Sequence, residues 1–218
     1  RMYCNREPRF YLAVNFDKAW YTEGDNAGKD NGRRLEFFNG GKDNNHTHDA
    51  PQNGYLVRKR TDPTRNPRSG YFAARHGILF RLGEVYLNYA EALNESDPGN
   101  ADILIYLNKI RERAGVPPVD ARFLGSKDAF MSELMRERAV ELAFEGLRWH
   151  DLRRWNVADQ KKYVEKTVID FDRGPNGKPI NLRERVVVTR VFEKKHNWLP
   201  LPTSQVNLYP TFGQNPGW

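Results

Sequence analysis

Three glutamates at four-residue spacing, set among arginines, restrict the fold of this chain more than any other feature. Glu137, Glu141 and Glu145 lie at positions i, i+4 and i+8, which places them on one face of an α-helix. Stacked carboxylates could bind a metal or serve acid–base catalysis, but helical di-metal sites use Glu-x-x-His pairs, and Arg148 follows Glu145 by three residues. We therefore predict a semi-buried structural ion network, without metal or catalytic residues, made of Arg136, Glu137, Arg138, Glu141, Glu145, Arg148, Asp151 and Arg153.

Two amphipathic helices precede this segment. Apolar residues recur at helical spacing in two stripes, which are Ile78, Leu82, Val85, Tyr89, Ala92 and then Ile103, Leu107, Ile110, Ala114. The break at 97–100 and the stop at Gly115 and Pro117 predict an αα-hairpin of the tetratricopeptide type. A single such pair cannot bury both of its faces, so we expect it to have neighbours.

The remaining segments predict irregular structure and a small amount of β-structure. Short strands are expected at 10–14, 35–38 and 55–57 between turn-rich loops, and a β-hairpin is expected over 163–195. The fold class is thus mainly α, with irregular loops and a small β-hairpin. We predict one domain over 1–218, with a loop-rich ligand-side region (1–76), a helical scaffold (77–155), and a hairpin and docked tail (156–218).

Bulk properties leave the function open. The formal charge is +7, which is compatible with nucleic acid or anionic glycans, and we interpret the excess as spread along the chain. The single cysteine, Cys4, excludes an internal disulfide. No leader and no run of 18 apolar residues is present, so we expect an excised piece, and a lipid anchor, if one exists, is expected upstream of it.

Several motifs, in the same order, resemble the C-terminal part of SusD/RagB outer-membrane nutrient-binding lipoproteins. The stretch Glu137–Trp155 (ERAVELAFEGLRWHDLRRW) matches the family's helix signature. Weaker matches are Asn5–Phe10, Leu82–Leu93, Asn108–Gly115, Asn197–Pro202 and Gln214–Trp218, with Glu7 in place of the usual Asp and Trp218 in place of the usual Tyr.

The resemblance implies a function as well as a fold. It implies a cell-surface protein that binds glycans or other nutrients and delivers them to a TonB-dependent SusC-like transporter, without catalysis or cofactors. It also implies lipid anchoring in the outer membrane through an N-terminal segment that this chain lacks. The alternatives from the residues are a helical-repeat scaffold for protein partners and, from charge alone, nucleic-acid binding, which we do not favour.

Ligand contacts are expected in the loops that match no family motif. Flat aromatic rings pack on the C–H faces of sugars, and the candidates for that role are Trp20, Tyr21, Tyr55 and Tyr71. Core packing is the competing interpretation for each ring. His46 and His48 are too few for a tetrahedral metal site. The loop from Asp25 to Glu36 lacks the glycine of a calcium-binding loop. We interpret the basic cluster over 58–68 as a solvated loop.

Overall fold

The computed structural model describes residues 2–21, 33–44, 51, 54–61, 70 and 77–218. The chain forms two compact units, Arg1–Gly146 and Leu147–Trp218. The predicted class, mainly helical with a small β-hairpin, is confirmed. His46, His48, Arg65, Arg68 and most of the 25–36 loop lie outside the described residues.

The first unit begins with a short helix, α1 (Pro8–Ala13), and two small antiparallel strand pairs. Strand β1 (Val14–Asn15) pairs with β4 (Leu56–Val57), and β2 (Trp20–Tyr21) pairs with β3 (Arg33–Arg34). The predicted strands over 10–14 and 35–38 were wrong. Pro8 stands at the first helical position, where its fixed φ and missing N–H favour a helix, and the chain becomes extended only at Val14.

The helical scaffold consists of α2 (Leu82–Ser96), α3 (Ala101–Arg113) and α4 (Lys127–Glu141). Asn100 caps α3 by accepting a hydrogen bond from the Asp102 N–H, and Ser126 caps α4 by accepting one from the Ala129 N–H. Gly115 follows α3 with φ of +67°, a conformation that glycine adopts without steric cost. The three helices share a core of Leu87, Ala90, Ile103, Leu107, Ile110, Phe130 and Leu134.

The face of α2 that faces this core is not the one that the periodicity predicts. Leu82, Val85 and Tyr89 are 60%, 44% and 41% exposed, whereas Leu87 and Ala90 are fully buried. The buried face also carries polar groups. One of them is Asn94, whose side-chain amide donates to the Lys127 carbonyl at 3.2 Å. By contrast, the predicted stripe of α3, which includes Ile103, Leu107 and Ile110, is buried.

The second unit contains two short helices, a hairpin and the tail. Helices α5 (Arg148–Arg154) and α6 (Lys161–Val164) precede β5 (Glu165–Arg173) and β6 (Pro179–Thr189), and α7 (Thr203–Leu208) follows. The tail folds back within the unit, because the Trp218 indole N–H donates to the carbonyls of Lys195 and Trp198 at 3.1 Å each. Among the described residues, none of the helices combines the length and hydrophobicity of a membrane span.

Candidate ligand-binding site

The stacked glutamates form the centre of an ion network in the first unit. The side chains of Glu137 and Glu141 are only 1% and 2% exposed. Glu137 accepts hydrogen bonds from Arg9 and Arg111, both at 2.6 Å. Glu141 accepts from Arg9 at 3.0 Å, from Arg81 at 2.6 Å and from Arg113. These contacts join helices α1, α3 and α4 into one framework, together with Arg81, which immediately precedes α2.

Glu145 extends the network beyond the end of α4. The Arg81 guanidinium donates to its two carboxylate oxygens at 2.8 and 2.7 Å, and the Lys59 ammonium lies 2.6 Å from one of them. Lys59 also donates to the Glu141 carbonyl at 2.8 Å, which ties the loop carrying β4 to the helical scaffold.

Among the predicted arginines, Arg136 lies at the edge of the network, because its partner Glu133 also lies 3.6 Å from Arg111. Arg136 contacts Glu133, and Arg138 donates to the Asn88 side chain at 2.6 Å. Arg148, Asp151 and Arg153 belong to the second unit, where Asp151 pairs with Arg154 at 3.0 Å and Arg153 donates to the Asn197 carbonyl. The cations found on the three glutamates are instead Arg9, Lys59, Arg81, Arg111 and Arg113.

The network lowers the pKa of two glutamates, Glu141 and Glu145. Burial alone would raise the pKa of Glu141, but hydrogen bonds from Arg81, Arg113 and Arg9 outweigh it and hold the pKa below the usual glutamate value. The same competition between burial and the cations Arg81 and Lys59 lowers the pKa of Glu145. Both groups are therefore charged in the folded protein at neutral pH.

Acid is expected to destabilise the protein through these carboxylates. Their pKa is lower in the folded state than in the unfolded state, so the stabilisation is complete above the ordinary glutamate pKa of 4.5 and is lost as pH falls through the folded pKa. Urea denaturation between pH 7 and pH 3 should show a free energy of unfolding that falls below about pH 4.5. Glu145→Gln should show a shallower fall, and stability that rises with acid would contradict the network.

The best-exposed candidate for ligand stacking lies on the small β2–β3 ribbon. Trp20 is directly opposite Arg34 in the register, and Tyr21 is opposite Arg33. Since consecutive strand residues point to opposite faces, Trp20 and Tyr21 lie on different faces of the ribbon and cannot form one continuous surface. The Trp20–Arg34 pair is the more open, with Trp20 37% exposed.

Arg34 and Trp20 form a stacked cation–π pair. The guanidinium carbon of Arg34 lies 3.6 Å from the Trp20 ring centroid. Arg34 also donates to the Lys18 carbonyl at 2.8 Å, which fixes its position over the indole. The pair thus combines a flat apolar ring with a planar group that donates hydrogen bonds, a combination that suits the C–H faces and hydroxyls of a sugar.

A half-buried cluster supports the ribbon from the other side. Arg33 stacks on Tyr21 at 5.1 Å and donates to both oxygens of Asp43 at 2.7 Å. Burial would raise the pKa of Asp43, but the hydrogen bonds from Arg33 and the Glu36 N–H leave it below its usual value. Leu35 and Phe37 are each 1% exposed, so the strand carrying Arg34 is anchored.

The two other candidate rings do not join this pair in the described residues. Tyr55 packs edge-on against Tyr3 at 6.1 Å, in an aromatic cluster with Phe10 and Phe16. That contact favours a packing role for Tyr55. Tyr71 lies outside the described residues. Arg34 was missed from the sequence, because its position opposite Trp20 depends on a pairing register that composition does not reveal.

The comparisons with known proteins decide the family. The profile of the SusD family matches residues 1–218. The chain belongs to the SusD family. A SusD-like protein (P2) of Formosa agariphila is 33% identical over 97 residues, which are 42% of this chain and 19% of that protein. A SusD-like protein of Bacteroides ovatus is 33% identical over 79 residues, which are 35% of this chain and 13% of that protein.

Solved SusD-like structures resemble this chain over nearly its whole length. A SusD-like protein from Bacteroides fragilis superposes with a TM-score of 0.81 at 25% identity, covering 100% of this chain and 40% of the other. A SusD-like carbohydrate binding protein from the same species shares the fold, with a TM-score of 0.65 at 22% identity over 96% of this chain and 42% of its own. This SusD-family chain therefore spans less than half of the relatives that it matches.

Proposed function

We propose that this SusD-family chain forms part of a cell-surface receptor that binds glycans and passes them to a TonB-dependent SusC-like transporter. The observation that carries the proposal is the family match over residues 1–218. The description of one structural relative as a carbohydrate binding protein supports glycans as the ligand class. The proposed receptor is anchored to the outer membrane by lipid and breaks no bond in its ligand.

The Trp20–Arg34 pair is the proposed glycan contact. A pyranose ring would stack on the part of the Trp20 indole that Arg34 leaves open, and the Arg34 N–H groups that do not bind the Lys18 carbonyl would donate to hydroxyls at the edge of the ring. Tyr21 supports the pair from the opposite face of the ribbon through Arg33 and Asp43. Tyr55 and Tyr71 remain predicted glycan contacts, but they are weaker candidates than Trp20.

Trp20→Ala is expected to weaken binding of the best ligand from an oligosaccharide panel by at least about tenfold, which is the effect of losing one well-packed stacking ring. Trp20→Phe should retain part of the affinity, because a smaller flat ring remains. Isothermal titration calorimetry on the whole chain measures both effects. The matched control is Leu12→Ala, which removes an apolar side chain that is 67% exposed in the same unit.

The same titrations test the absence of catalysis. Chromatography of the ligand after long incubation should return it intact. Cleavage of the glycan by the pure protein would contradict the proposed function, and equal affinities for wild type and Trp20→Ala would contradict the proposed contact.

A protein-interaction scaffold is the second candidate, and the open face of α2 favours it. Leu82, Val85 and Tyr89 form an apolar stripe on that helix, and Leu79 and Phe80, just before it, are 93% and 73% exposed. Exposed apolar patches of this kind mark interaction surfaces. Saccharide binding that depends on Trp20 separates the two candidates, because a scaffold has no need of it.

A further inference from the structure

Positive charge is concentrated in the second unit. Residues 147–218 contain 13 lysines and arginines and 7 aspartates and glutamates, so they carry six of the seven excess positive charges. The first unit is therefore close to neutral, with 22 basic and 21 acidic residues. The interpretation of the excess as spread along the chain was wrong. A field of one sign on a small unit attracts ligands of the opposite sign.

Three of these cations lie close together where α6 runs into the β5–β6 hairpin. Lys166 donates to the Tyr163 carbonyl at 2.7 Å, and the Arg148 guanidinium carbon lies 5.2 Å from the Tyr163 ring centroid. The backbone N–H of Arg190 donates to the Val164 carbonyl at 3.0 Å. This hydrogen bond places Arg190 beside the end of α6, two residues before Lys166. Desolvation lowers the pKa of Lys166, and the charges of Arg190 and Arg148 lower it further.

Arg148 holds a donor without an acceptor. Its Nη1 atom is buried and makes no hydrogen bond among the described residues. Most buried donors in folded proteins are paired, and a guanidinium nitrogen is a costly group to leave unpaired. The rings of Tyr163 and Trp155, at 5.2 and 5.8 Å from its guanidinium carbon, stabilise the charge but cannot accept a hydrogen bond in its plane.

Neighbouring carboxylates do not compensate this cluster. Asp151 contacts Arg154 at 3.0 Å, and Glu165 lies 3.8 Å from Lys161. Further along the unit, Asp170 contacts Arg185 and Glu193 contacts Lys195. Within the described part of the chain, no ion pair joins Arg148, Lys166 or Arg190 to an acid. Lys166 therefore feels the positive charges of Arg148 and Arg190 without an acidic partner of its own among the described residues.

We propose that Arg148, Lys166 and Arg190 bind an oxyanion, the carboxylate or sulfate group of an acidic saccharide. An oxyanion would accept a hydrogen bond from the unpaired Arg148 donor and would remove the repulsion between Lys166 and Arg190. That a saccharide carries the oxyanion rests on the proposed function. The proposed oxyanion site belongs to the second unit and the Trp20–Arg34 pair to the first, so variants in one site do not alter residues of the other.

Binding to the whole chain is compared for two acidic oligosaccharides and their neutral counterparts, at low ionic strength. Trigalacturonate supplies carboxylates only, a chondroitin sulfate tetrasaccharide supplies sulfates as well as carboxylates, and sodium sulfate alone is the third probe. At least one acidic oligosaccharide should bind about tenfold more tightly than its neutral counterpart, the effect expected of one charge-assisted hydrogen bond. The preference should disappear as salt is raised.

Two variants and one control locate the preference. Lys166→Met and Arg190→Gln should abolish the charge preference and leave the affinity for neutral sugars unchanged, whereas Lys178→Met, in the hairpin turn, should change neither. Thermal denaturation verifies that both variants remain folded at the temperature of the binding experiments. An NMR titration of Lys166 gives an independent readout, because bound oxyanion should raise its pKa.

The outcomes separate this inference from the proposed function. Equal affinity for acidic and neutral oligosaccharides, unchanged in both variants, would overturn the oxyanion site and leave glycan binding intact. A response of Lys166 to sulfate alone, without a preference for either acidic oligosaccharide, would overturn the saccharide as its source. Failure of every saccharide to bind would count against the proposed function itself.

Discussion

Glu141→Gln is expected to lower the free energy of unfolding by about 3–5 kcal/mol, the usual cost of breaking a buried charge network by removing one partner. The Glu141 side chain is 2% exposed and contacts Arg9, Arg81 and Arg113. Glutamine keeps the shape but loses the charge, so Arg9 and Arg81 would face a neutral amide at a position where little water can replace the lost carboxylate. Urea denaturation at pH 7 measures the loss.

Glu95→Gln is the matched control on the neighbouring helix. The Glu95 side chain is 56% exposed and pairs with Lys127 at 2.5 Å. Exposed pairs contribute at most about 1 kcal/mol, so this variant should be nearly as stable as the wild type. If both variants lose the same small amount, the stacked glutamates do not form a buried network in solution.

The network shows what local spacing can and cannot predict. The i, i+4, i+8 pattern correctly indicates that Glu137, Glu141 and Glu145 share one helical face. It also suggests sequence neighbours as their partners, yet Arg9 and Arg81 come from 128 and 60 residues away. Those contacts depend on how helices pack, which periodicity does not encode.

Apolar periodicity predicts the buried face of α3 but not that of α2, for a related reason. In α3 the periodic stripe is the buried stripe, so the pattern predicts its core residues well. In α2 the buried face holds Leu87 and Ala90 together with Glu91 and Asn94. Because two of these four residues are polar, the apolar periodicity does not predict this face as the buried one. A helix with two apolar faces has no unique core face in its sequence.

The candidate ligand site was only partly accessible to sequence reasoning. Trp20 stands out because it is an aromatic residue before a turn-rich loop, but the choice between ligand and core depends on exposure. The cation over its ring depends on the register that sets Arg34 opposite it. Two-residue strands leave too little pattern to fix that register from sequence.

Phe130→Ala is expected to cost about 3–5 kcal/mol, because it removes a large aromatic side chain and leaves a cavity. Phe130 is fully buried in the core shared by α2, α3 and α4. Leu82→Ala, on the predicted but exposed stripe, should cost less than about 1 kcal/mol, as surface substitutions usually do. Chemical denaturation of the two variants at one protein concentration gives the comparison.

The cost of Leu82→Ala, measured against the core reference Phe130→Ala on α4, shows whether the apolar stripe of α2 is covered in solution. A small cost for Leu82→Ala beside a large one for Phe130→Ala means that the apolar stripe of α2 is not covered in solution. A cost for Leu82→Ala equal to that for Phe130→Ala would mean that the stripe is covered in solution. In that case a midpoint that rises with protein concentration would identify a second copy of the chain as the cover, because association stabilises a fold by mass action.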